Sequence, residues 1–385
     1  MLVAASAVIH VVLLITTYGS AFDLDSYSQQ AFAVTHRLNV YEYTTRYPYP
    51  PVWIWIVGAV AGSAPMVGLP FHVAIKIPAT LADLAVVALL FEYVRARRGW
   101  VSWTLGPAAL YALNPVPALI SAAHGQFDSL PVFFTLLAFH LYDRGHRRSL
   151  DLAALALGVA IALKGYPALL LPFLALTAPA GRKAWTFGMA LIPVGLAFAI
   201  YAIAAGYNSE MLTRVIGYTS TPAMGWTLFA PDLNLPLAIR AIAWLGSDLL
   251  ILVFATLVPW LAFGRNGVLG AAATFAFLYL VVFRASVQYL LWGLPFFCLV
   301  TSGGAIIYSL SATAMLLAYY VVSDPLALPE SLVTSTFAAF QAGYQACAAS
   351  VIAAGALLLT ITLFKSRDAK NVLASTPKST APTAA

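Results

Sequence analysis

Three stretches of this 385-residue chain hold most of the side chains able to do chemistry. Phe22-Asp23-Leu24-Asp25-Ser26-Tyr27 places two carboxylates directly after an apolar run. A carboxylate at a membrane surface can take the proton of a hydroxyl that comes within hydrogen-bond reach. The plainer role for Asp23 and Asp25 is to cap the helix that follows. Ala123-His124-Gly125-Gln126-Phe127-Asp128 joins two further apolar runs and offers three polar side chains able to grip hydroxyl groups. Here the plainer reading is an ordinary loop, with Asp128 capping the next helix and Pro131 close behind. Third come cations at run ends: Lys164 in Lys164-Gly165-Tyr166-Pro167, Lys76, and Arg284 with Gln288 and Tyr289 downstream. A lysine at full membrane depth costs about 2.5–3.5 kcal/mol, less if it snorkels. Three cations at one boundary suit a bound anion; singly, each could be reaching for lipid headgroups.

The elements that must position these residues are membrane helices. Hydrophobic residues make up 62% of the chain and charged ones 9%, against roughly 45–50% and 25% in a soluble domain. Apolar runs recur from Leu2 to Phe364, and a span needs about 20 residues. This excludes a soluble enzyme, a nucleic-acid binder and a disordered scaffold, although the net charge is +6. Cys298 and Cys347 both sit in apolar runs and fit no metal or redox spacing. Leu2–Tyr18 lacks a basic start and reads as a retained span, not a cleaved signal peptide.

Basic residues cluster at Arg95/Arg97/Arg98, Arg144/Arg147/Arg148, Arg182/Lys183, Arg265 and Lys365/Arg367/Lys370. The positive-inside rule places all of them in the cytoplasm, so an even number of spans separates successive clusters. Val52–Val67, with Pro50-Pro51 before it and Pro65 inside it, breaks this parity if it crosses, and reads as an interfacial or re-entrant helix. The fold class expected is therefore an all-α polytopic membrane protein. It has about 12 transmembrane helices over residues 1–364, a functional loop at 19–70 and both termini inside. A disordered cytoplasmic tail at 365–385 follows. Asp23, Asp25, Arg37, Glu42, Arg46, Lys76, His124, Gln126, Asp128, Lys164, Arg214, Asp232, Arg284 and Gln288 then share the outer face. Asp83 and Asp248 fall mid-span, each open to protonation or to pairing with a neighbouring helix.

Four features together resemble the GT-C superfamily of membrane glycosyltransferases, and within it the polyprenol-phosphate-mannose-dependent mannosyltransferases. They are Asp23-x-Asp25-x-Tyr27 with Tyr41 and Tyr47-Pro48-Tyr49-Pro50-Pro51; His124-Gly-Gln126-Phe-Asp128; Leu163-Lys164-Gly-Tyr166-Pro167; and Gln288-Tyr289-Leu-Leu-Trp292-Gly-Leu-Pro295. The resemblance covers residues 20–295, and nothing after about 300 contributes to it. It implies a catalytic acid in the first external loop, beside juxtamembrane helices, one of which starts near Pro50-Pro51. Asp23 is then the general base, with Asp25 the close second. Arg46, Tyr49, Lys76, His124, Gln126, Asp128, Lys164, Tyr166, Arg284, Gln288 and Tyr289 are the substrate-binding set, and Lys76, Lys164 and Arg284 face the donor phosphate. The implied donor is a polyprenyl-phosphate-linked sugar, mannose first. The acceptor is a glycolipid or lipid-linked glycan, the membrane is the plasma membrane, and neither metal nor cofactor is expected.

Two other classes compete. A transporter or lipid flippase would show internal repeats and a polar site at the bilayer midplane, whereas here no repeat is visible and the polar residues gather at outer ends. A structural subunit leaves the outer cations unexplained.

Overall fold

The computed structural model describes residues 1–98, 105–207, 209–217, 223–229, 253–254, 263–264 and 266–375. The span expected near 237–262, with Asp232, Asp248 and Arg265, falls largely or wholly outside these.

The described chain is helical. In order it forms α1 (Leu2–Thr16), α2 (Ala21–Thr35), α3 (Val40–Tyr43), α4 (Val52–Ser63), α5 (Phe71–Ala74) and α6 (Ile77–Arg98). Then come α7 (Gly106–Ala112), α8 (Pro115–Ala118), a π-helical turn Leu119–His124, α9 (Ser129–Tyr142), α10 (Arg147–Leu163) and α11 (Leu171–Thr177). α12 (Lys183–Ala205), α13 (Ser209–Ile216), α14 (Gly267–Val281), α15 (Leu294–Val300), α16 (Ser302–Ser323) and α17 (Glu330–Ser375) complete it. The only β pairing among the described residues is a bridge between Met224 and Ala285.

Among the described residues, four segments are long and apolar enough to cross a membrane: Phe71–Arg97, Lys183–Ala205, Ser302–Ser323 and Gly343–Ser366. α1 and α2 add a fifth if they form one span, but they meet at 81°. Other apolar runs among the described residues form shorter helices, such as Ser129–Tyr142 and Gly267–Val281. Hydropathy marks a run as buried in lipid or protein without revealing where the helix breaks inside it. The breaks fall at the polar motifs: Gly125 ends the π-turn with φ +93°, and an extended Lys164 ends α10. α4 is 12 residues long, too short for the roughly 20 that a span requires. α17 runs on to Ser375, so residues 365–375, assigned by composition to a disordered tail, are helical.

Polar pins fix the bundle. Asp83, the mid-span acid, accepts from the Tyr111 hydroxyl (2.7 Å) and faces His10 Nε2 (3.3 Å), tying α6 to α7 and α1. A carboxylate in that position is stable only with such partners. α6, α9 and α10 each carry a member of the outer polar set at one end and a basic cluster at the other. Lys76, Asp128 and Lys164 lie at the first end; Arg97, Arg144 and Arg147 lie at the second. At that second end Arg97 pairs with Asp143 (2.5 Å) and Arg182 with Asp151.

Candidate active site

The site begins at the bend between α1 and α2. Ser20 caps α2, its side chain accepting from the Asp23 N–H. The capping role open to Asp23 is thus filled by another residue, and Asp23 in the first turn is free to point elsewhere. The start of α2 is held from far away in sequence: Ala21 N–H donates to Asp324 Oδ1 (3.2 Å) and Gly19 N–H to the Leu326 carbonyl (3.2 Å). Ser20 N–H donates to the His124 carbonyl (2.8 Å), which brings the second polar motif against the first.

Asp23 Oδ2 lies 2.6 Å from His124 Nε2, and His124 Nδ1 lies 3.2 Å from the Tyr320 hydroxyl, which in turn reaches the Leu119 carbonyl. The His124 side chain is 3% exposed and that of Asp23 19%. Both ring nitrogens of the histidine are therefore occupied, and the carboxylate is the more exposed of the two. Burial pushes the Asp23 carboxyl up. Hydrogen bonds from His124 and Gln126 and the charges of His124 and Lys164 more than offset this, leaving it below the ordinary carboxylate value. Asp23 is thus held ionised, ready to accept a proton.

Asp23, Arg46, Tyr49, His124 and Gln288 line one cavity of about 550 Å³, together with Tyr27 and Gln30 of α2 and Tyr319 of α16. That volume falls within the range of small-ligand sites. The other residues of the expected set do not form its wall. Asp25 is exposed and forms an ion pair with Arg46, while Gln29 donates to it at 3.1 Å. The guanidinium of Arg46 also stacks 4.7 Å over Phe22.

Asp128 occupies the cap position of α9, yet its side chain makes no capping bond. Fully buried, it pairs with Lys164 Nζ (2.7 Å) and accepts from Trp292 Nε1 (2.6 Å). Trp292 stacks between Tyr166 (3.7 Å) and Tyr289 (3.8 Å), and Lys164 sits over the rings of Tyr49 and Phe127. Phe127 stacks in turn on Trp53 at 4.2 Å. Gln126 accepts from the Tyr27 hydroxyl (3.3 Å). These residues form the floor beneath the cavity.

Lys76 is also fully buried, its Nζ donating to the Thr17 carbonyl (2.8 Å) at the end of α1. There it compensates the negative end of that helix and does not reach the cavity. Of the cations assigned to an anion, Lys76 and Lys164 are engaged within the protein; Arg284 precedes Ser286, a residue of the cavity wall, by two positions. Among the described residues no three His, Cys, Asp or Glu side chains gather as metal ligands. Sequence reasoning missed Gln30, Tyr320 and Asp324. Gln30 was legible as the same helical face as Asp23 and Tyr27, whereas the other two lie beyond the last motif and carry no local signal.

An apolar helical body with a carboxylate on the wall of a cavity at one end of the bundle is the arrangement expected of a membrane glycosyltransferase. The profile of glycosyltransferase family 87 matches residues 47–287, and the chain belongs to that family. Among solved structures it is similar to ArnT from Cupriavidus metallidurans in the apo state. The TM-score is 0.51 at 16% identity, covering 94% of this chain and 75% of that one. The same protein bound to undecaprenyl phosphate matches with a TM-score of 0.50 at 16% identity, covering 96% and 78%. No sequence among curated proteins matches. At such identity the likeness to ArnT speaks for the fold; the family supplies the glycosyl transfer.

Proposed function

We propose that this transferase moves a mannosyl residue from a polyprenyl-phosphate donor to a hydroxyl of a glycolipid or lipid-linked glycan, with inversion, at the non-cytoplasmic face of the plasma membrane. The observation that carries the reading is Asp23, held ionised by His124 while its carboxylate faces the cavity. Asp23 takes the acceptor proton, the hydroxyl oxygen attacks the anomeric carbon, and the bond to phosphate breaks on the opposite side. The phosphate leaves as a stable anion, so no second carboxylate has to protonate it, unlike in glycoside hydrolysis. That fits a site whose other acids, Asp25 and Asp128, are paired.

Arg284, beside the cavity wall, is the candidate for contact with the departing phosphate, a role that is often the largest catalytic contribution. Lys164, paired with Asp128, helps to keep the Asp23 carboxyl ionised through its charge. The lipid donor is supported by the binding of undecaprenyl phosphate to ArnT, which shares this fold. Facing away from the cytoplasm, with both termini inside, is supported by the basic clusters at the opposite ends of α6, α9 and α10.

The test is purified protein in nanodiscs with polyprenyl-phosphate mannose and a membrane lipid extract, the product identified by mass. Asp23→Asn is expected to lower turnover by about 10²–10⁴-fold with thermal unfolding unchanged. Turnover within tenfold of the unaltered chain overturns the assignment of Asp23 and moves the base to Asp25.

A further inference from the structure

Asp23, Tyr27 and Gln30 stand at positions i, i+4 and i+7 of α2, one stripe of the helix, and all three line the cavity. Two of the hydroxyls on this wall are already engaged. Tyr27 donates to Gln126 and Ser26 to the Phe22 carbonyl (2.7 Å). Gln30 differs. Its residue is 1% exposed, and its Oε1 is buried without a hydrogen-bond partner. A buried amide left unpaired destabilises the fold, and an apolar residue of the same length removes that penalty. An occupant of the cavity that supplies the missing hydrogen bond removes it too. Across the space Gln288, 6% exposed, offers a second amide. Neutral amides pair with neutral hydroxyls through either their oxygen or their nitrogen, so this part of the wall fits a polyol.

We propose that Gln30 determines sugar specificity: its side-chain amide hydrogen-bonds one hydroxyl of the saccharide held in the Asp23 cavity, at a ring position other than the reacting carbon. Seven residues of helix separate it from the base, a rise of about 10 Å, so it reads the far side of the saccharide and takes no part in bond making. This role rests on the glycosyl-transfer reading of the cavity given above.

The test compares the unaltered chain with Gln30→Met. The donor arm uses polyprenyl-phosphate mannose and its singly deoxygenated analogues, with membrane lipid extract as acceptor. The acceptor arm measures competition by octyl mannoside and its singly deoxygenated analogues. A site built to pair a hydroxyl rejects the analogue lacking it. The unaltered chain is expected to disfavour one analogue by about tenfold or more in kcat/KM or inhibition constant, and Gln30→Met to bring that preference within about twofold. Thermal stability of the variant should be equal or higher, an outcome that a structural role for the amide would reverse. If Gln30→Met fails to fold, Gln30→Ala carries the same comparison. Normal turnover with every preference intact in both arms overturns the role of Gln30 alone. Absence of turnover by the unaltered chain refutes the donor reading, and this role falls with it.

Discussion

Replacing Lys164 by Met removes one partner of a pair that has no water to fall back on. The Lys164 side chain is 5% exposed and that of Asp128 0%, with 2.7 Å between Nζ and Oδ2. Without the lysine, Asp128 keeps only the Trp292 N–H. Removing one member of a buried pair destabilises by about 3–5 kcal/mol, against a typical total stability of roughly 5–15 kcal/mol. The variant should therefore unfold markedly earlier in nanodiscs. Asp128→Asn in the same chain keeps an acceptor for Trp292 while removing the stranded charge. The double variant should then recover all but about 1 kcal/mol, because neutralising both members is far less costly than orphaning one. Thermal unfolding of the four chains gives the coupling energy directly. A single variant as stable as the unaltered protein, or a double variant as unstable as the two singles summed, refutes the argument. The donor KM separates the two roles of the lysine. If Lys164 binds the donor phosphate, the double variant remains as impaired as the single one.

His124→Phe keeps a ring beside Tyr320 and removes the hydrogen bond that lowers the Asp23 carboxyl. The acid limb of kcat/KM should thus move to higher pH, activity being lost at a higher pH than in the unaltered chain as the medium is acidified; an unmoved limb rejects the link. Gly125→Ala places a Cβ on backbone at φ +93°, 3.2 Å from the Lys76 side chain. A loss of about 1–2 kcal/mol should appear as a lower unfolding temperature, and no change would mean the backbone relaxes freely there. Single cysteines at the exposed positions Ser63 and His146, with Cys298 and Cys347 replaced by alanine, test sidedness. An impermeant maleimide should label the first on intact cells and the second only after permeabilisation; the reverse pattern inverts the topology.

The residue types at the site were legible because their chemistry is local. Asp23, His124 and Asp128 stand out as charge in an apolar chain, and the elements around them followed from runs and breakers. Partners were less legible. Lys76 and Lys164 looked like free cations at run ends, but a sequence does not show that Thr17 and Asp128 fold back onto them. Pairing is decided by which helix ends meet, 59 residues apart for Lys76 and 36 for Lys164. The described residues do not confirm the count of twelve spans, for a related reason. An apolar run such as Gly106–His124 is continuous in hydropathy yet divides into α7, α8 and a π-turn, since Pro115 and Asn114 stop one helix and cap the next.

The clasp on Asp23 also sets an order of events in biogenesis. Tyr320 and Asp324, which steady His124 and the first turn of α2, emerge from the ribosome some three hundred residues after the carboxylate they serve. A nascent chain that has made only its early helices carries Asp23 without this scaffold, and the contacts around the carboxylate are complete only once α16 and Asp324 have been made.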